Sequence, residues 1–104
     1  MGAVRFQEIR KDGVTTIEEI HKLVVHRFKV SDVDDPDLYA AEPIYKWEKS
    51  EPGQFVMKHA IDKPEWHRQL NQSFYGYDYI IIAELEMKKL SEFYLRWGQV
   101  NGNT

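Results

Sequence analysis

The sequence predicts an α+β domain, an antiparallel sheet of four to five strands with two helices on one face, in the order β-α-α-β-β-β. Three observations carry that reading. Residues 20–30 and 75–87 are rich in β-branched and aromatic side chains with strand-like parity. Prolines follow capping residues at Asp35-Pro36 and Ser50-Glu51-Pro52, where helices begin. From Glu65 onward the apolar spacing changes from helical to alternating, with connections short enough to require antiparallel neighbours.

In chain order, Val4 to Ile9 reads as a short strand ending at an Asp12-Gly13 turn, and Ile20 to Val30 as a full strand. In the latter, Val24, Phe28 and Val30 share one parity and Leu23 and Val25 the other. Asp35 can accept from the free N–H groups of a helix starting at Pro36, and Asp37 suits the positive end of its dipole. That helix should run from about 36 to 49 with a kink near Pro43, which lacks a donor. Ser50 caps a second helix with Pro52 in its first turn, reaching about Ala60 and burying Phe55, Val56 and Ala60 before Asp62-Lys63-Pro64 ends it. Trp66 to Leu70, Tyr75 to Met87 and Glu92 to Trp97 then read as three strands, joined by a turn at Asn71 to Phe74 and a Lys88-Lys89 loop.

Composition bounds the chemistry. The 104 residues give a single domain that buries roughly two-thirds of its unfolded surface. Five Phe, six Tyr and three Trp supply a core without a disulfide or structural metal. Zero Cys excludes a disulfide framework, a thiolate metal site and a Cys nucleophile. The longest aliphatic stretch, Ile80 to Ala83, is far shorter than a bilayer span, and the start of the sequence has no signal-type apolar region, so a cytoplasmic protein without membrane contact is expected. The net charge of −3 leaves no basic cluster for duplex DNA. No phosphate loop, dinucleotide fingerprint or hydrolase elbow occurs, and no cofactor is expected.

The informative feature is the strand after Gly76. Tyr77, Tyr79, Ile81, Ala83 and Leu85 form a core face, while the opposite parity mixes Asp78, Glu84 and Glu86 with Ile80 and Ile82. A solvated sheet face should be polar throughout. With the last strand placing Phe93, Leu95 and Trp97 inward, Tyr94 would join Ile80, Ile82, Leu23 and Val25 outside, rimmed by Arg27, Lys29 and Arg96. An apolar centre with a charged rim suggests a partner surface, most simply a second copy of the chain in a homodimer. The alternative is that the N-terminal segment folds over this face.

Other motifs have ordinary explanations. Asp32, Asp34, Asp35 and Asp37 are carboxylates in a calcium-like run, but Pro36 and Asp37 stand where the EF-hand pattern wants a ligand and a glycine, so helix capping accounts for them and no metal is expected. His21, His26, His59 and His67 show no HExxH or HxH spacing, and the only catalytic wager is His59 with His67, as a small hydrolase or metal enzyme. Arg27, Lys29, Tyr94 and Arg96 could serve a single-stranded nucleic-acid platform, although most aromatics share the core parity.

The segment Asp34 to Arg68, DDPDLYAAEPIYKWEKSEPGQFVMKHAIDKPEWHR, with the later GYDYIIIAEL and FYLRWG, resembles small uncharacterised proteins encoded by tailed phages of cyanobacteria. The resemblance covers about half of the chain and transfers no catalytic residues. It implies a phage accessory protein acting in an infected bacterial cytoplasm, of the class that binds host proteins without enzymatic activity. The expectation is therefore a non-enzymatic protein-interaction module using the acidic helix start or the outer sheet face.

Overall fold

Asp12 and Gly13 both adopt positive φ, 53° and 78°, the geometry of the two-residue turn whose twist matches paired strands. They join β1 (Ala3–Lys11) to β2 (Val14–Ser31) in a hairpin whose register runs from Lys11 opposite Val14 to Ala3 opposite Lys22. The computed structural model describes residues 3–73 and 75–99. After β2 come α1 (Pro36–Lys49), α2 (Glu51–His59), β3 (Glu65–Asn71), β4 (Gly76–Glu86) and α3 (Met87–Trp97). The fold is α+β, with a curled four-stranded antiparallel sheet in the order β1-β2-β4-β3. Phe74, in the β3–β4 turn expected from the sequence, lies outside the described residues.

β2 is the spine. Its first half pairs with β1 and its second half with β4. Eighteen residues would span about 56 Å if straight, which sets the 51 Å long axis of a molecule only 24 by 22 Å across. At Val25 the register with β4 shifts by one residue. Such a bulge lets both flanking parities face one way, so Leu23, Val25 and Val30 all lie in helix-side cores and Phe28 packs against them. The sequence expectation of Leu23 and Val25 on the outer face is thereby corrected.

The two central helices form as their capping residues dictate, with one exception. Ser50 Oγ accepts from the Gly53 N–H at 3.2 Å, as a cap of α2 should. Asp35 instead takes a left-handed conformation, φ 78°, and makes no side-chain cap. Asp37 does more than favour the dipole. Its Oδ1 accepts from the buried Tyr79 hydroxyl at 2.6 Å and from Arg68 Nη1 at 3.0 Å, tying the start of α1 to β4 and β3. Burial, followed by this bond, raises the Tyr79 pKa, so the phenol stays protonated and keeps donating. α1 runs through Pro43 to Lys49.

The third helix replaces the expected strand 92–97, and the helices are not all on one face of the curled sheet. Leu90, Phe93, Tyr94 and Trp97 recur at 3.6-residue spacing and pack into the core that Leu23, Trp47, Phe55, Val56, Ile81 and Leu85 share. Glu92 lies 3.7 Å from both Lys89 and Arg96, pairs that a helix brings together and a strand does not. Gly98, at φ 78°, ends the helix, its N–H donating to the Tyr94 carbonyl.

His26 belongs to this interior. It faces Ile81 across the ladder and stacks on Trp47, ring centroids 5.8 Å apart. Burial lowers its pKa. The unfolded chain therefore takes up a proton at higher pH than the folded one, so the contribution of neutral His26 is present above about pH 6.5 and lost as pH falls through its folded pKa. The melting temperature should drop between pH 7.5 and 5.5, and drop less in His26→Phe, which keeps the stack without the charge. An identical pH slope in both proteins would reject this account.

Candidate functional site

The register places side chains in rows across β2, β4 and β3, on the side away from Tyr79, Ile81 and Leu85. Val24, Ile82 and Glu65 make one row; Arg27, Ile80 and His67 the next; Lys29, Asp78 and Gln69 the third. Lys22 and Glu84 stand beyond Val24 and Ile82. The apolar centre is thus Val24, Ile80 and Ile82, all half-buried and members of neither core cluster. Lys22, Arg27 and Lys29 run along β2 on one side of it. Glu65, His67 and Gln69 run along β3 on the other, all exposed.

Two polar atoms on this face are shielded but unsatisfied. Arg27 Nε and Asp78 Oδ1 have almost no solvent contact and no hydrogen-bond partner among the described residues, while the other Asp78 oxygen accepts from Asn71 at 2.9 Å.

The N-terminal strand does not close the face. β1 stops at Ala3, opposite Lys22, and extends the sheet sideways. It does seal the neighbouring position. Ile20, on the same side as Arg5 and Glu86 by register, is fully buried. Arg5 Nε reaches Glu84 at 3.0 Å and Lys11 reaches Glu86 at 3.4 Å, so two ion pairs bridge β1 to β4 across β2. The hydrogen bond from Arg5 holds the Glu84 carboxyl below the usual carboxylate range, and Arg5 also donates to Gln7.

The other sequence candidates disperse. Tyr94 and Arg96 lie on α3, not on the outer face: Tyr94 packs against the core, and the Arg96 guanidinium sits over the Trp97 and Phe55 rings at 4.9 and 6.0 Å. They form no common platform with Arg27 and Lys29. His67 stands on the open face with Glu65 Oε1 at 3.4 Å, whereas His59 lies at the end of α2, its ring 4.6 Å from Phe55. Burial, then Lys89 and Lys58, lower the His59 pKa. That histidine lines a groove of about 360 Å³ with Phe55, Glu92, Arg96 and Trp97, and His67 is not part of it. Among the described residues no three His, Asp or Glu side chains converge as metal ligands, and no helix is long and apolar enough to cross a membrane. Comparison with protein-family models, curated proteins and solved structures finds no match.

Proposed function

We propose that the protein is a non-enzymatic interaction module whose open β2-β4-β3 face receives another protein, one presenting an apolar ridge with carboxylates alongside. The observation that carries this reading is the row of half-buried Val24, Ile82 and Ile80 lying between a basic strip on β2 and the exposed side chains of β3. Carboxylates on the partner would face Lys22, Arg27 and Lys29, and the apolar ridge would cover the isoleucines. Three strands by eight residues give a footprint of about 350 Å², less than half the area each partner contributes to a standard interface. The contact therefore belongs to the weak, exchanging class. Joined to the resemblance to phage proteins, the reading is an accessory protein that holds a host protein in an infected bacterial cytoplasm.

The test pairs cross-linking with two variants. Ile80→Glu/Ile82→Glu alters the open face and leaves both core clusters intact; Leu95→Glu makes a similar change on α3, away from the sheet. Cross-linking mass spectrometry in host lysate should map captured protein to β2, β4 and β3. The double variant should lose that capture and Leu95→Glu should retain it. Capture that is indifferent to the double variant sinks the proposal.

A further inference from the structure

Among the described residues, no helix or strand packs over the side of the β1–β2 hairpin that carries Val4, Phe6 and Ile17, and the other side meets only polar side chains at the start of α3, with Lys11 reaching Glu86. All of the hairpin's residues from Ala3 to Glu19 are exposed or half-buried. Phe6 is 69% exposed, Ile17 64% and Val4 53%, and by register these three share one face: Val4 is opposite His21, Phe6 opposite Glu19 and Ile17 opposite Glu8. β1 is an edge strand, and among the described residues no strand pairs with its outer edge. A two-stranded ribbon is marginal in water, and a nine-residue edge without proline is a template for another strand.

We infer that this edge is completed by a second copy of the chain, with β1 pairing antiparallel to the partner's β1 about a two-fold axis at Phe6. This goes beyond the open-face reading and does not depend on it, because β1 ends before the rows that hold Ile80 and Ile82. The charge pattern favours that register. With the axis at Phe6, the two Phe6 rings meet, Val4 faces the stem of Glu8, Arg5 faces Gln7 and Ala3 faces Ile9, with no like charges opposed. Moving the axis to Glu8 sets Glu8 against its own copy and Arg5 against Lys11, both unfavourable. Moving it to Gln7 places Phe6 against Glu8 and Val4 against Arg10, so the exposed apolar side chains no longer oppose one another. The Phe6 register gathers Val4, Phe6 and Ile17 of both copies on one face of a four-stranded ribbon, and the two sheets become one eight-stranded sheet.

The chain has no cysteine, so single-cysteine variants report position cleanly. Sedimentation from 1 to 100 μM should show a concentration-dependent dimer. Phe6→Arg should raise the dissociation constant at least tenfold while keeping the monomer's circular dichroism, and Leu95→Arg, an equal charge change on another exposed apolar residue, should leave it unchanged. Under mild oxidation Phe6→Cys should form a covalent dimer and Ile9→Cys should not. A monomer at all concentrations, a dimer insensitive to Phe6→Arg, or cross-linking at Ile9 in place of Phe6 would each overturn the assignment. Loss of the dimer with retention of lysate capture, or the reverse, separates this surface from the open face.

Discussion

Replacing Gly53 with alanine is expected to destabilise the protein by about 3 kcal/mol or more, a large part of the 5–15 kcal/mol typical of a domain of about this size. α1 and α2 meet at the single residue Ser50, so the backbone of Gly53 rests directly on the last turn of α1. A Cβ built there would stand 1.7 Å from the Trp47 carbonyl oxygen and 2.6 Å from its carbon. Both are backbone atoms, which no rotamer change can move aside. Helix propensity favours alanine by about 1 kcal/mol, and the clash outweighs it. Relief requires the helices to part, which breaks the Ser50 cap on the Gly53 N–H and shifts Trp47 off His26 and out of the core. Gly98→Ala provides the comparison. That glycine has open space around it and only its backbone conformation, φ 78° and ψ 177°, to defend, so its replacement should cost about 2 kcal/mol and less than that of Gly53. Urea unfolding of the two variants checks the contrast. A Gly53→Ala protein as stable as the parent would show that the corner between the helices is not as close as described.

Much of the fold was legible because a few residues dictate local geometry. Asp12-Gly13 marks a turn, and Pro36, Ser50 and Pro52 mark two helices, while the order read from the sequence has one strand before those helices where the structure pairs two in a hairpin. The α+β class and the antiparallel sheet follow from the strands between them. What was not legible depends on partners far along the chain. The stretch from Val14 to Glu19 shows no alternation because, as a ribbon without a buried residue, it hides neither face, so parity marks a strand only from Ile20. The bulge at Val25 defeats a period-two reading, since the face changes in mid-strand. The mixed parity of Ile80 and Ile82 did point to the open face, and Arg27 and Lys29 stand beside them there. Val24, which completes the apolar centre, has the parity opposite to Leu23 and Val25, the two residues the sequence places outside, and Tyr94 and Arg96 lie elsewhere because their segment has helical, not alternating, spacing.

That segment yields the second large expected effect. Phe93→Ala should cost about 3–5 kcal/mol, and Leu95→Ala should stay within about 0.5 kcal/mol of the parent. The side chains are two residues apart and similar in apolar character, so a strand over 92–97 would bury both on one face and make both truncations expensive. A helix turns them about 200° apart. Phe93 is 1% exposed, with its ring 6.2 Å from Phe55 and 5.4 Å from Trp97, where it joins α3 to α2. Leu95 is 87% exposed and touches no core cluster. Removing the Phe93 ring leaves a cavity between α2 and α3 that the stacked aromatics cannot fill without leaving their rotamers. Removing the Leu95 side chain takes away surface that water already covers, and alanine is at least as good a helix former. Chemical unfolding of both variants under one set of conditions decides between the two geometries. Costs of similar size would mean that residues 92–97 alternate after all, whereas a difference of several kcal/mol is the mark of the helix that carries Phe93 into the core.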